Sequence, residues 1–319
     1  MVDRPKKPSA IPVSPIAPSA LVKVSEGRVV ASLPTGESVE VLLYGATVIS
    51  WKSARGKENL FLSTATKLDG SKAVRGGIPL VFPNFGPPPP DHATSKLPQH
   101  GFARNSTWEY LGKTTSESDP RPNSTGDDSV KLDFGLTSGS LDEASRKAWP
   151  YEFGLEYSVT LGKNGLETSL VIRNEGKEAF DFQCLMHTYL KVDDVRNIHI
   201  TGLKGKEYVD KVDNKATKME ANDQLAITSE TDRVYKSLTP EVPVRVLESG
   251  EPKYQIVRDN LDDVVVWNPW VEKAAGMADF APKDGWKNMM CIEAGSVAQF
   301  QKLDAGDAFE GSQVIMTSS

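Results

Sequence analysis

Histidine and cysteine are scarce in this chain, four and two among 319 residues, and the shortage narrows the chemistry it can hold. Cys184 and Cys291 are too few for a disulfide framework and are expected as reduced thiols. Neither they nor His92, His100, His187 and His199 fall at metal-ligand spacing, so no metal site is expected. No stretch approaches the roughly 18 consecutive apolar residues of a membrane helix. Long basic runs are missing as well, and at a formal net charge of -6 the chain lacks the positive face that nucleic-acid phosphates require. No Walker segment and no Gly-x-Gly-x-x-Gly opening a helix is found, so a nucleotide has no cradle. The expectation is a monomeric, soluble, cytoplasmic protein that needs no cofactor and has neither a membrane nor a nucleic-acid partner.

Helix signals are few. The best candidate runs from Leu141 to Ala148, opened by the capping pattern Ser140-Leu141-Asp142-Glu143 and stopped near Pro150. Strand signals dominate instead. From Phe153 to Leu161 apolar residues alternate with small or polar ones, Gly162-Lys163-Asn164-Gly165 turns the chain, and Leu166, Thr168, Leu170 and Ile172 resume the alternation. Val39 to Trp51 reads as a strand pair or one bent strand, with Gly45 marking a bulge or a close approach. Similar runs occur at Val29–Leu33, Ser129–Phe134, Phe180–Val192, Val244–Leu247, Tyr254–Arg258, Val264–Trp267, Met289–Glu293, Ala298–Leu303 and Ser312–Thr317. Short strands between Gly, Pro, Asn and Asp turns predict an all-β protein, a large antiparallel β-sandwich with few short helices, since a parallel sheet would need long amphipathic crossovers. Residues 1–20 read as a flexible tail, and residues 21–319 as a single domain with surface loops at Gly86–Pro90 and Thr114–Asp128.

A handful of polar residues stand out against this background. His187 interrupts the apolar run Phe182 to Leu190, where it is either a satisfied core histidine or a proton-transfer group. Glu293 in Met289-Met290-Cys291-Ile292-Glu293 must be compensated, by a structural ion pair or by a role as base in a ligand pocket. The small Ala294-Gly295-Ser296 after it would let a ligand approach the backbone. Arg75 precedes Gly76-Gly77, and the segment Leu97-Pro98-Gln99-His100-Gly101-Phe102-Ala103-Arg104 gathers an amide, an imidazole and a guanidinium around one glycine turn. Guanidinium forks match the oxygens of a phosphate, and a dianionic phosphate needs more than one of them. Asp232 could fix sugar hydroxyls or pair with its neighbour Arg233. Trp267, Trp270, Trp286 and Phe280 suit either a sugar-stacking wall or the core. His92, in the Pro-rich loop, and His199, on an alternating strand, read as structural.

In order along the chain, Arg75-Gly76-Gly77-Ile78-Pro79, Leu97 to Arg104, Met186-His187-Thr188-Tyr189, Thr231-Asp232-Arg233-Val234-Tyr235, Trp267-Asn268-Pro269-Trp270 and Ile292-Glu293-Ala294-Gly295 resemble the hexose-6-phosphate mutarotases. These glucose-6-phosphate 1-epimerases are a branch of the aldose 1-epimerase family, and the pairing of Arg75 with Arg104 resembles that branch rather than the free-sugar enzymes. The resemblance implies a supersandwich of the galactose mutarotase type. It implies His187 and Glu293 as the catalytic pair, with Arg75, Gln99, His100, Arg104 and Asp232 contacting a small-molecule sugar phosphate. On this basis an ionised Glu293 would take the proton of the C1 hydroxyl while a protonated His187 gives one to the ring oxygen. The alternatives are a non-catalytic carbohydrate-binding sandwich and an epimerase of free aldoses. Residues Gly86 to Lys96 depart from the compact family pattern and lengthen a loop beside the site.

Overall fold

The computed structural model describes residues 20–115 and 129–318. The expected tail lies outside the described residues except for Ala20. So does the expected loop at Thr114–Asp128, except that Thr114 and Thr115 close the strand Glu109–Thr115.

Alternating burial organises the chain into three sheets whose strand pairs are all antiparallel. Leu21–Ser25, Arg28–Ser32, Ser38–Leu42 and Thr47–Lys52 form a four-stranded meander. The predicted hairpin is present as Phe153–Gly162 paired with Gly165–Asn174, and it sits within a nine-stranded sheet. Its buried residues Tyr157, Val159, Leu161, Leu166, Leu170 and Ile172 supply that sheet's inner face. An eight-stranded sheet has at its centre Thr231–Tyr235, Asp263–Asn268, Met289–Leu303 and Phe180–Met186 in that order. The Thr168 hydroxyl of one sheet meets the Met186 sulfur of the other at 2.9 Å, and Gln313 Nε2 donates to Thr188 Oγ1 at 3.0 Å, so the two large sheets close on a shared core. This is the antiparallel sandwich expected from the strand periodicity.

Three local readings change. The helix spans Glu143–Ala148, and its cap is Asp142, whose carboxylate accepts from Ser145 N at 2.8 Å; Ser140 belongs to a preceding 3-10 turn. An aspartate outcompetes a serine here because it can accept from an N-terminal amide with a full charge. Met289–Leu303 is one 15-residue strand rather than two. Phe180–Val192 is divided into Phe180–Met186 and Tyr189–Lys191, because the intervening His187 amide turns to Pro79 O at 2.9 Å.

Two glycines fix the loops that carry Arg75 and His100. Gly77 has φ +66, and a Cβ there would lie 2.1 Å from Val48 O; Gly101 has φ +69, with Phe82 O at 2.0 Å. Only a residue without a side chain lets these turns press against neighbouring backbone. Gly45 likewise marks a close approach, to Arg104 O at 2.7 Å. Gly295 is small for another reason than expected: its missing Cβ makes room for Cys184 O and the Leu185 side chain on the adjacent strand, not for a ligand.

Candidate active site

Strand register explains how residues remote in sequence meet. Met186 pairs with Ala294 and Tyr189 with Cys291, so His187 stands directly opposite Glu293. Glu293 in turn pairs with Val265, and Val265 with Val234, completing a row of side chains across one face of the sheet. Two residues along, on the same face, runs a second row: Tyr189, Cys291, Trp267 and Asp232. Lys211 extends it, its amide donating to Asp232 O at 2.8 Å. Because side chains alternate between faces, the intervening Met186, Thr188 and Ile292 point into the core between the sheets. The two rows are the floor of a cleft of about 500 Å³, within the range of small-molecule sites.

Loops raise its walls. Phe85, Gly86 and Pro87 come from the start of the Pro-rich loop, which therefore does border the site, and Gln99 and His100 come from the Gly101 turn. Arg75 enters from the Gly76-Gly77 turn. Its Nε and NH2 donate to Asp279 Oδ2 at 3.1 and 3.0 Å, and its NH1 donates to Tyr189 Oη at 3.1 Å. Arg104 stands behind this wall, one NH2 donating to Gln99 O at 3.0 Å and its buried Nε without a partner. Asp232 faces the cleft and lies 3.6 Å from Lys211 Nζ, whereas Arg233, on the opposite face of the strand, goes to Glu220 at 3.0 Å. The neighbours Asp232 and Arg233 thus do not pair.

His187 and Glu293 are 8% and 1% exposed, and His187 Nδ1 lies 3.3 Å from Glu293 Oε1. His187 stacks on Tyr189 with ring centroids 4.6 Å apart and a 10° interplanar angle, and Trp267 meets it edge-on. Burial pushes the His187 imidazole well below its usual range, helped by His100, Arg104 and Arg75, and pushes the Glu293 carboxyl well above its own, helped by Asp232. Both directions oppose the expected ionised carboxylate and imidazolium. Desolvation penalises each charge, so burial favours the neutral imidazole and the neutral carboxyl.

His100 is also held neutral. Burial, with Arg104, Lys211 and Arg75, lowers its imidazole from 6.5 to about 3. Gly86 N donates to its Nδ1 at 3.3 Å, which assigns the proton to Nε2, beside the Gln99 amide. Between those two values the unfolded chain binds a proton that the folded His100 refuses, so this residue costs stability as pH falls below about 6.5. His100→Asn should remove that slope, since Asn tolerates the φ of +67 and its Oδ1 can replace Nδ1. Urea denaturation should find that the wild type loses up to about 2 kcal/mol more than the variant between pH 7 and pH 5. Equal losses would show that His100 is not the group resisting protonation.

Several residues of the site are not evident from sequence. Lys211, Lys215 and Lys273 line the cleft, and Tyr189 and Asp279 hold Arg75. Of the four aromatics singled out, Trp267 lines it; Trp270 and Trp286 pack on each other at 4.3 Å, and Phe280 is fully buried against Phe61. His92 stacks on Phe300 at 3.9 Å and faces Asp181, anchoring the Pro-rich loop, and His199 lies half-buried on its strand, so both are structural as read. His187, Cys291 and Glu293 place one potential metal ligand each within 4.8 Å of one another. Burial pushes the Cys291 thiol and the Glu293 carboxyl up from their usual ranges.

The model of the aldose 1-epimerase family matches residues 28–315. The chain belongs to the aldose 1-epimerase family. It is 33% identical over 296 residues, 91% of this chain and 85% of the relative, to a Cenchrus ciliaris protein named "Putative glucose-6-phosphate 1-epimerase". An Escherichia coli (strain K12) protein of the same name is 31% identical over 267 residues, covering 82% of this chain and 80% of its own. Among solved structures, a Salmonella typhimurium protein described as a "putative mutarotase" superposes with a TM-score of 0.77 at 26% identity over 96% of each chain. A galactose mutarotase related enzyme from Lactobacillus acidophilus shares the fold, with a TM-score of 0.69 at 17% identity over 94% of this chain and 97% of that one. No helix among the described residues is long and apolar enough to cross a membrane.

Proposed function

We propose that the protein interconverts the α and β anomers of glucose 6-phosphate and related aldohexose 6-phosphates. The observation that carries this reading is the His187–Glu293 pair, 3.3 Å apart on the floor of a cleft whose walls hold Arg75 and three lysines. A binding module has no use for a buried acid and base in register, which disfavours the non-catalytic alternative. The cationic walls favour a phosphorylated sugar over a free one.

Ring opening moves two protons: the C1 hydroxyl loses one, the ring oxygen gains one, and the C1–O5 bond breaks to give the open-chain aldehyde. Glu293 takes the first and His187 supplies the second, with Nδ1 turned to Glu293 and Nε2 left for the ring oxygen. The pair starts as carboxylate and imidazolium and ends as carboxyl and imidazole. That end state is the one burial favours, so the charged start costs free energy and is reached by passing the Glu293 carboxyl proton to His187 Nδ1. Lys211, which acts to lower the Glu293 carboxyl, offsets part of that cost. Rotation about C1–C2 and reversal of both transfers close the ring on the other face. Arg75, Gln99, His100, Arg104 and Asp232 contact or orient the substrate, the arginines at its phosphate end. NMR exchange between the anomers of glucose 6-phosphate should be accelerated well beyond the spontaneous rate, and more than that of free glucose; exchange at the spontaneous rate for both would end this reading.

A further inference from the structure

The cleft's cations are unequally committed. Arg75 is tied to Asp279, Lys273 Nζ lies 2.8 Å from Glu230 Oε1, and Lys211 lies 3.6 Å from Asp232 while its ammonium also sits 4.0 Å from the Phe85 ring centroid. Lys215 is the cation on the cleft wall that has no carboxylate partner among the described residues. The acids nearest to it in sequence are taken: Lys218 Nζ lies 2.9 Å from Asp210 and 2.7 Å from Asp213. An anion entering the cleft therefore meets one ammonium whose charge is not already balanced.

The backbone that presents Lys215 is unusual for a lysine. Ala216 N donates to Asp213 O at 2.8 Å, closing a tight turn in which Asn214 and Lys215 both have positive φ, +48 and +60. This is the type I′ geometry, whose second central position is normally glycine, because an L side chain there costs roughly 1–2 kcal/mol. The long side chain is kept at this position against that cost, and it reaches the cleft.

We propose that Lys215 captures the phosphate of the substrate and so sets the preference for phosphorylated over free sugars. The proposal rests on reading the cleft as a hexose phosphate site. In it, the committed Arg75 and the Arg104 behind the wall provide a fixed positive field, and the turn-borne Lys215 closes on the phosphate oxygens from the open side. Its ammonium donates three hydrogen bonds without a fixed orientation, which suits a group that swings in from solvent.

Lys215→Gly is a clean test, because it removes the ammonium while giving the turn the residue it prefers, so loss of folding does not confound it. KM for glucose 6-phosphate should rise by about tenfold, the worth of one charge-assisted hydrogen bond, with kcat nearly unchanged. Free glucose, which offers nothing for Lys215 to hold, should change by less than about twofold on the same scale. Lys215→Arg should restore most of the loss. Inorganic phosphate, titrated against tryptophan fluorescence, should half-saturate Lys215→Gly at about tenfold higher concentration than the wild type. Unchanged KM and phosphate binding in Lys215→Gly, or an equal loss for both sugars, would overturn the assignment. If the wild type binds phosphate through Lys215 yet does not accelerate anomer exchange, the assignment stands and the proposed reaction falls.

Discussion

Glu293→Gln is expected to lower kcat for anomer exchange by about 10²- to 10⁴-fold, the usual contribution of a positioned acid or base. Glutamine keeps the volume of the buried side chain and forfeits only the proton transfer, so the variant should fold. KM should move little, because the interaction lost belongs to the transition state. His187→Ala should fall by a similar factor, with some destabilisation from the cavity left beside Tyr189 and Trp267. The double variant should be scarcely slower than either single one, since the pair acts as a unit passing one proton each way. NMR exchange spectroscopy on the glucose 6-phosphate anomers reads all three. A folded Glu293→Gln protein exchanging at the wild-type rate would remove the carboxyl from the mechanism.

Arg75→Met should raise KM for glucose 6-phosphate by about 10- to 100-fold while leaving that for free glucose far less affected. Asp279 and Tyr189 take three of the guanidinium's five N–H groups, leaving two donors for a ligand. The anchoring fixes the direction of the fork before any substrate arrives, which is the advantage of a preorganised site. Asp279→Asn separates orientation from charge. Its amide oxygen can still accept from Arg75, but the counter-charge is gone, so KM for the phosphorylated sugar should stay level or drop. Steady-state kinetics on both sugars decides the matter, and equal losses for glucose and glucose 6-phosphate in Arg75→Met would assign that residue to the sugar ring or to the fold instead.

The hairpin was legible because its apolar residues alternate with small or polar ones. From Phe153 to Ile172 most inward residues are apolar and most outward ones are small or polar, so the period of the strands follows from the residue pattern. His187 and Glu293 were visible as polar interruptions of apolar runs. That they face one another was not, because it depends on which strands pair and in what register, and 105 intervening residues give no sign of it. Lys211, Lys215 and Lys273 were missed for a different reason: a lysine on a turn or short helix has the same sequence signature whether it lines a cleft or a solvated face. Asp279 gave no signal either, since its role is defined by Arg75, far upstream. The tryptophans failed in the opposite sense. Trp267 and Trp286 offer the same apolar surface, and only the strand face that carries Trp267 turns it toward the cleft.

The two-row floor has a consequence for how this enzyme can be altered. Odd-numbered positions of the paired strands 187–189 and 291–293 lie on the cleft side of the sheet, and the even ones between them are packed between the sheets. A single-residue insertion in either strand would turn that strand's core residues to the cleft and its cleft-side residues to the core.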